Sequence, residues 1–452
     1  MVSLGNKFKA TFKGANKNRK PAQAVEPPTN LISSLVQKFN NGLLQQTLSD
    51  LSKLLHHYPR SATLYNIQGA TNARLGKPDA ALEDFKNALF INPKSAEANN
   101  NMGNILKEQG KLEKAIKAYR KALLLKPDYA EAFYNMGNAY KEMKKLKSAI
   151  SSYNRALSLN PNYAEAFYNK GLIQSYMDDN DAAIESYNKA LKIKPSYVEA
   201  LFKLGESFKL FGENNNAAKY FEAAVNLDET DAVGAKLHLA TLGRSSTPSK
   251  TPEVFMKNFY KKRARIWDNQ SLDKYSGHLL IASAFGQANI KKENHILDLG
   301  CGTGSLANFL RPYAKSLVGI DLSHEMLAYA RETKIYDLLI EKDIELYLAE
   351  KLDHYDIVVA AAVFIHFLNL ERVFTLITKS LKKNGQFIFT VFESLKEDKH
   401  LNDFLMYSHS ADYISSLVEY LDLKIIFRDR SIHEYHKETA IYSLVYVLQK
   451  TS

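Results

Sequence analysis

Prolines 59, 93, 127, 161 and 195 recur every 34 residues. No other feature constrains the fold as tightly, because a fixed period of that length is the mark of a helix-turn-helix array. Other positions keep the same step. Ala81, Ala115, Ala149, Ala183 and Ala217 are each followed four residues later by an aromatic, namely Phe85, Tyr119, Tyr153, Tyr187 and Phe221. Ala88, Ala122, Ala156, Ala190 and Ala224 follow, and Gly69, Gly103, Gly137, Gly171 and Gly205 recur in the partner helix. Small residues let two helices approach, the aromatic fills the groove between them, and proline ends the second helix.

These residues resemble tetratricopeptide repeats over about 28–241, with five good copies between degenerate ends. The opening segment LISSLVQKFNNGLLQQTLSDLSKLLHHYP keeps only Pro59, and Glu229 stands where the last proline is due. Terminal repeats face water on one side, so degeneracy there is expected. The resemblance implies an all-α solenoid whose concave surface holds a peptide or another protein. Asn101, Asn135 and Asn169 occupy one helix position in three copies, with Asn104 and Asn138 one turn on. Such a ladder can bond an extended backbone without reading its side chains, and it resembles the superhelix of O-linked N-acetylglucosamine transferases. Asparagine is also common at these places throughout the repeat family.

The formal net charge of +11 is concentrated at the start, where Lys7, Lys9, Lys13, Lys17, Arg19 and Lys20 precede the first acid, Glu26. Residues 1–27 therefore read as a basic, solvated leader, with contact to RNA, lipid or an acidic partner and an organellar transit peptide as alternatives. No stretch approaches the roughly 18 apolar residues of a spanning helix, and no secretory signal is evident, so the expected compartment is the cytoplasm. Cys301 is the one cysteine, which excludes an internal disulfide and a cysteine-rich metal site. No metal is expected.

Repeats are assigned to 28–244. The stretch 245–253, containing SSTPSKTP, has the composition of a linker. From 254 to 452 the pattern changes: HILDLG, SLVGIDL, DLLIEKD, DIVVAAAV and GQFIFTVF are short and apolar and alternate with helical stretches such as LERVFTLITKSL. That alternation is how a parallel, doubly wound α/β sheet reads. Its first strand-to-helix turn carries Gly300, Gly302 and Gly304 behind Asp298. The spacing G-x-G-x-G departs from the dinucleotide fingerprint G-x-G-x-x-G.

Asp298-Leu-Gly-Cys-Gly-Thr-Gly resembles motif I of class I S-adenosylmethionine-dependent methyltransferases, and this likeness extends over about 254–450. It implies a Rossmann-like domain closed by a C-terminal antiparallel hairpin (LKIIFRDRSIHEYH and ETAIYSLVYVLQK), with S-adenosylmethionine as cofactor. The glycine turn and Asp298 would approach the donor; Asp321 with Leu322 would take its ribose hydroxyls and Asp343 with Ile344 its adenine. Ala264 to Asp268 resembles a lid segment, in which Trp267 would cover the methionine end or simply pack lid to core. Repeats, a D-x-x-G-A stretch (Asp231, Gly234, Ala235), lid and sheet in this order resemble predicted bacterial methyltransferases that carry tetratricopeptide repeats. Ala362, where members often have aspartate, and Arg263, where they tend to have tyrosine, depart from that pattern.

Methyl transfer from a sulfonium asks the protein for alignment, desolvation and, for some acceptors, a base. His366, after the fourth strand, is the candidate base, with His409 second; either can equally be a packed histidine. AAAVFIHF lacks the [N/D]-P-P-aromatic tetrad of nucleic-acid and glutamine amino methylation, so a nucleic-acid acceptor is not expected. Three readings stand: a methyltransferase whose repeats recruit a protein substrate or carrier, a small-molecule O- or C-methyltransferase using the repeats for assembly, and a repeat scaffold with an inactive donor-binding domain.

Overall fold

The computed structural model describes residues 25–264, 267, 276–436 and 439–451. The basic leader as far as residue 24, and the lid positions Arg265, Ile266 and Asp268, lie outside the described residues. The chain divides into two compact units, Met1–Pro195 and Ser196–Ser452.

The first unit is five antiparallel helix pairs: α1 (Thr29–Asn40) with α2 (Leu44–His57), α3 (Ala62–Arg74) with α4 (Pro78–Ile91), α5 (Ala96–Glu108) with α6 (Leu112–Leu125), α7 (Ala130–Glu142) with α8 (Leu146–Leu159), and α9 (Ala164–Tyr176) with α10 (Asn180–Ile193). The four pairs after the first share one contact, a glycine of the first helix against an aromatic of the second. A Cβ on Gly103 would lie 2.5 Å from the Tyr119 ring, and one on Gly137 would lie 2.6 Å from Tyr153, so the small residue is what admits the aromatic. The degenerate opening segment still makes a helix pair, with Leu35, Leu51 and Leu64 buried together. Ser61 and Ser95 cap α3 and α5 by accepting from the amides of Leu64 and Ala98.

The second unit begins with a further pair, α11 (Val198–Leu210) and α12 (Asn214–Leu227), and the short α13 (Ala235–Thr241). Asp231 accepts from the backbone amides of Ala235 and Lys236 at 2.6 and 3.1 Å, which explains the D-x-x-G-A stretch as a helix start. Phe255 of α14 (Glu253–Arg263) lies against that turn, and Asn258 donates to the Ala232 carbonyl at 3.4 Å.

A sheet of nine strands follows: β1 (Asn294–Leu299), β2 (Ala314–Asp321), β3 (Leu338–Glu341), β4 (Tyr355–Ala360), β5 (Leu381–Glu393), β6 (Lys399–Leu401), β7 (Tyr407–His409), β8 (Leu423–His436) and β9 (Thr439–Lys450). The order is β3-β2-β1-β4-β5-β7-β6, with β9 antiparallel to both β5 and β8. Strands β1 to β5 pair in parallel, and the order turns outward from β1 in both directions. In such sheets ligands bind beyond the carboxyl ends of the strands at that switch point. Alternate side chains build two cores. Leu297, Leu299, Val358 and Ala360 pack with Phe374 of α19 (Glu371–Ser380) on one face; Ile296, Ile357 and Val359 pack with Phe285 of α15 (Gly277–Gln287) on the other. Helices α16 (Ala307–Leu310), α17 (His324–Thr333), α18 (Ile344–Leu348) and α20 (Ala411–Tyr420) complete the layers. The expected fold is present, including the closing hairpin. Strands β6 and β7 were not expected from the sequence.

Candidate functional site

A cavity of about 660 Å³ opens at the carboxyl ends of β1, β2 and β4, within the size range of sites that hold one small organic molecule. Asp298, Gly300, Gly302, Asp321, Leu322, Asp343, Ile344, Trp267 and His366 all line it. Gly304 stands behind the turn, facing Tyr336 and Ala330.

The turn after β1 is held by its own backbone. Gly300 has φ +64°, and a Cβ there would lie 2.6 Å from Val363; Gly302 donates its N–H to Asp321 Oδ2 at 2.9 Å, while Ser323 N–H reaches Oδ1 at 2.8 Å. Each carboxylate oxygen can accept about two bonds, so Asp321 keeps acceptor capacity toward the cavity. A Cβ on Gly302 would meet nothing within 4 Å. The turn therefore offers bare backbone to an occupant.

Asp298 is buried and receives the Tyr336 hydroxyl at 2.6 Å. Burial raises its pKa to about 7, with the nearby Asp321 charge adding to the shift; burial also raises that of Asp321. Neither has a Lys or Arg ion pair among the described residues. A buried and a half-buried carboxylate, neither ion-paired, favour a positively charged occupant. Asp343 differs. Its Oδ1 caps α18 through the amides of Glu345 and Leu346, and Lys250 Nζ lies 3.2 Å from Oδ2 and 3.3 Å from Glu345.

Lys250 belongs to the stretch assigned as a linker. That stretch runs antiparallel to 366–368: Thr251 N–H donates to the His366 carbonyl and Leu368 N–H to that of Ser249, both at 2.9 Å, and Tyr407 Oη donates to the Pro248 carbonyl. His366 is fixed on both ring nitrogens, with Tyr260 Oη 2.7 Å from Nε2 and Thr251 Oγ1 3.2 Å from Nδ1. Burial lowers its pKa to about 4. His409 lies on β7, fully buried and outside the cavity lining, stacked on Tyr413. Cys301 is buried, and its thiol pKa is pushed well up.

Beyond Ala362 the cavity carries an apolar patch, Met256, Phe259, Phe392, Phe404 and Met406, bordered by Asp403 and by Arg263 and Glu434 near Tyr260. Ala362 has φ +54°, an uncommon strain for a residue with a Cβ and one that collects at functional sites. Glu206 of α11 and His238 of α13 also line the cavity. Tyr260, Thr251, Lys250, Glu434, Glu206 and His238 were absent from the sequence reading. Only their nearness in space marks them.

In the first unit Asn101 donates to Asn66, Asn135 to Asn100 and Asn169 to Tyr134, each one repeat back, at 3.0–3.1 Å. Asn104 and Asn138 accept from the hydroxyls of Tyr119 and Tyr153 at 2.7 Å.

A doubly wound sheet with a glycine turn facing two strand-end carboxylates defines a nucleotide-type α/β domain. Comparison with known families specifies it further. A methyltransferase-domain family matches residues 297–389, and tetratricopeptide-repeat families match 85–117, 103–144, 130–163, 164–197 and 198–231. The chain joins tetratricopeptide repeats to a class I S-adenosylmethionine-dependent methyltransferase domain. It is 33% identical over 128 residues to a probable S-adenosylmethionine-dependent methyltransferase, CRG1, of Saccharomyces cerevisiae, covering 26% of this chain and 44% of that one. It is 39% identical over 74 residues to a malonyl-[acyl-carrier protein] O-methyltransferase of Pectobacterium atrosepticum, covering 16% and 28%. The chain thus spans less than half the length of both relatives. Among solved structures, MamA is 32% identical, with 36% of this chain and 96% of that one covered at a TM-score of 0.34. No helix of the described residues is long and apolar enough to cross a membrane, and the described residues contain no cluster of three or more His, Cys, Asp or Glu placed to hold a metal ion.

Proposed function

We propose that the second unit transfers the methyl group of S-adenosylmethionine to an acceptor in the apolar half of the cavity, and that the repeats recruit the protein that is, or carries, this acceptor. The observation that carries the reading is the Gly302 amide bonded to Asp321 inside a cavity whose two unpaired carboxylates suit a cation. The residues fit the donor. Asp321 and Leu322 would take the ribose, Asp343 and Ile344 the base, Gly300 and Gly302 the methionine backbone, with Asp298 near its ammonium and Trp267 over the crevice. When bound, the donor supplies an activated methyl group, and no metal is needed for that. The chain's own part is to hold, align and exclude water.

Recruitment is supported by the amide ladder. Asn101 and Asn135 each give one amide N–H to the preceding repeat and keep the side-chain carbonyl, and Asn104 and Asn138 give the carbonyl and keep amide N–H groups. Both donors and acceptors are thus left for an extended backbone. Asn169, in contrast, is buried with its amide on Tyr134 and the Glu165 carbonyl and its oxygen on Lys141, so it is not a rung open to a peptide. One relative's name, malonyl-[acyl-carrier protein] O-methyltransferase, describes an acceptor borne on a protein, which agrees with a carrier.

Calorimetry with S-adenosylhomocysteine tests the donor site: Asp321→Ala should lose about 1.5–3 kcal/mol of affinity, as for hydrogen bonds to a charged group. Equal affinity in the two proteins would remove Asp321 from the site.

A further inference from the structure

The sequence nominates His366 as a base, yet its ring nitrogens are both taken, so it cannot meet an acceptor directly. The side chain it holds can. Tyr260 lines the cavity from the last turn of α14, with Trp267 edge-on at 5.7 Å between ring centres. The 2.7 Å separation from Nε2 suits a phenolic O–H donor, and the longer 3.2 Å to Thr251 suits Nδ1–H donating to a hydroxyl. This assigns the neutral Nδ1–H tautomer, leaving Nε2 as acceptor.

Resting on the donor-site reading above, we propose that Tyr260, His366 and Thr251 form a proton relay for an acceptor that carries an ionisable hydroxyl on an apolar body. The acceptor O–H gives its proton to Tyr260 Oη as the phenolic proton passes to His366 Nε2, and the imidazolium keeps Nδ1–H on Thr251. The freed oxygen pair forms the new bond to the methyl carbon, and the broken carbon–sulfur bond leaves its pair on sulfur. Atoms and charge balance within the cavity: one sulfonium charge disappears and one imidazolium charge appears. That exchange answers the objection that a buried imidazole is a weak base, since no net charge enters the site. Asp321 at the end of β2 faces Tyr260, the first oxygen of the path.

The surroundings agree with a hydroxyl acceptor. Met256, Phe259, Phe404 and Met406 offer an apolar bed rather than the amide-holding tetrad absent from 360–367. The charged groups that face Tyr260 are Asp321 at the end of β2, Arg263 on its own helix and Glu434 on β8. Lys250, next to Thr251, is engaged by Asp343 and Glu345.

The first test uses the full chain labelled with ¹⁵N-histidine, with His366→Asn identifying the signal. His366 Nε2 should report a hydrogen-bond acceptor that Tyr260→Phe shifts. Its protonation midpoint should be higher with S-adenosylhomocysteine bound than with S-adenosylmethionine, by about tenfold in proton affinity, as expected of a group beside the charge that is lost. Equal midpoints in the two complexes overturn the relay. The second test supplies tritiated S-adenosylmethionine and a small-molecule lysate extract: Tyr260→Phe should label at least 100-fold more slowly, within the range of a lost general base, and should lose the acid limb of the pH profile. Its affinity for S-adenosylhomocysteine should stay within about twofold of the parent. Labelling within threefold of the parent refutes the relay, and so does a loss of labelling matched by lost ligand affinity. A parent chain that binds no S-adenosylhomocysteine removes the donor site and the relay together.

Discussion

The two units solve the burial of polar groups in opposite ways. In the first, a buried tyrosine hydroxyl meets an asparagine, and the same contact returns one period later: Tyr119 to Asn104, Tyr153 to Asn138. In the second, Asp298, buried, and Asp321, half-buried, stand at strand ends with backbone and phenol donors but no ion pair among the described residues. Redundancy makes the solenoid a sum of similar local terms. The cavity is a single arrangement that no other part of the chain repeats, and its unbalanced charge is left for a ligand. Perturbations should therefore add in one unit and interlock in the other.

The sharpest way to break this contrast is to cut the chain. The unit boundary falls at Pro195, so α11 to α13 group with the sheet, and they supply Glu206, His238 and the turn beneath Phe255. A chain beginning at residue 196 should fold and bind S-adenosylhomocysteine within a few-fold of the full chain. One beginning at 245 exposes Phe255 and removes Glu206 and His238 from the cavity lining, and should bind at least 100-fold more weakly or aggregate. Calorimetry and sedimentation decide it; equal binding by both would return α11 to α13 to the repeats.

The second contrast is in proton linkage. Asp84, buried in the first unit with Asn72 and Gln68 donating to it, has a pKa raised to about 6 from an ordinary 3.8, mainly by burial. A carboxyl raised in the fold binds its proton more tightly folded than unfolded, so stability is greatest below about 4 and falls as pH rises through 6. Asp84→Asn should flatten that fall in thermal melts of the first unit. Asp298, raised to about 7, should behave as a ligand-linked group instead. It is largely protonated below 7 in the free protein, and a bound cation favours its anion, so affinity for S-adenosylhomocysteine should drop as pH falls from 8 to 6. Calorimetry in buffers of differing ionisation enthalpy should detect proton release, and Asp298→Asn should abolish it.

The same contrast governs what could be read from the sequence. The helix pairs were legible because one steric problem, an aromatic against a glycine, is solved with the same residues every 34 positions. The crevice was legible where strand-end residues are fixed locally, as at Gly300, Gly302 and Asp321. What escaped depends on distant backbone. Ser249 and Thr251 pair with 366–368 through main-chain groups that leave no mark in the composition SSTPSKTP, which reads as a linker. Tyr260 meets His366 across 106 residues, and Lys250 meets Asp343 across 93. Grouping of α11 to α13 with the sheet was hidden for another reason: their sequence keeps the repeat's period, and period reports the pair's own packing, not its neighbour.

The smallest expected effect tests additivity itself. Removing the hydroxyl of Tyr119 or Tyr153 leaves its ring against the glycine and costs only the bond to Asn104 or Asn138, about 1 kcal/mol each. Those two asparagines are half-exposed, so water can serve them in place of the phenol. The two hydroxyls share no hydrogen-bond partner and lie one repeat apart, so Tyr119→Phe with Tyr153→Phe should cost the sum of the singles to within about 0.5 kcal/mol in urea melts. S-adenosylhomocysteine affinity should not move. Tyr260→Phe with His366→Asn should instead be no worse than either alone in methylation, because each removes the same proton path. A double variant of the solenoid that departs from the sum by more than 1 kcal/mol would mean the repeats are coupled through their asparagines, and the picture of one unit that adds and one that interlocks would fail on its simpler side.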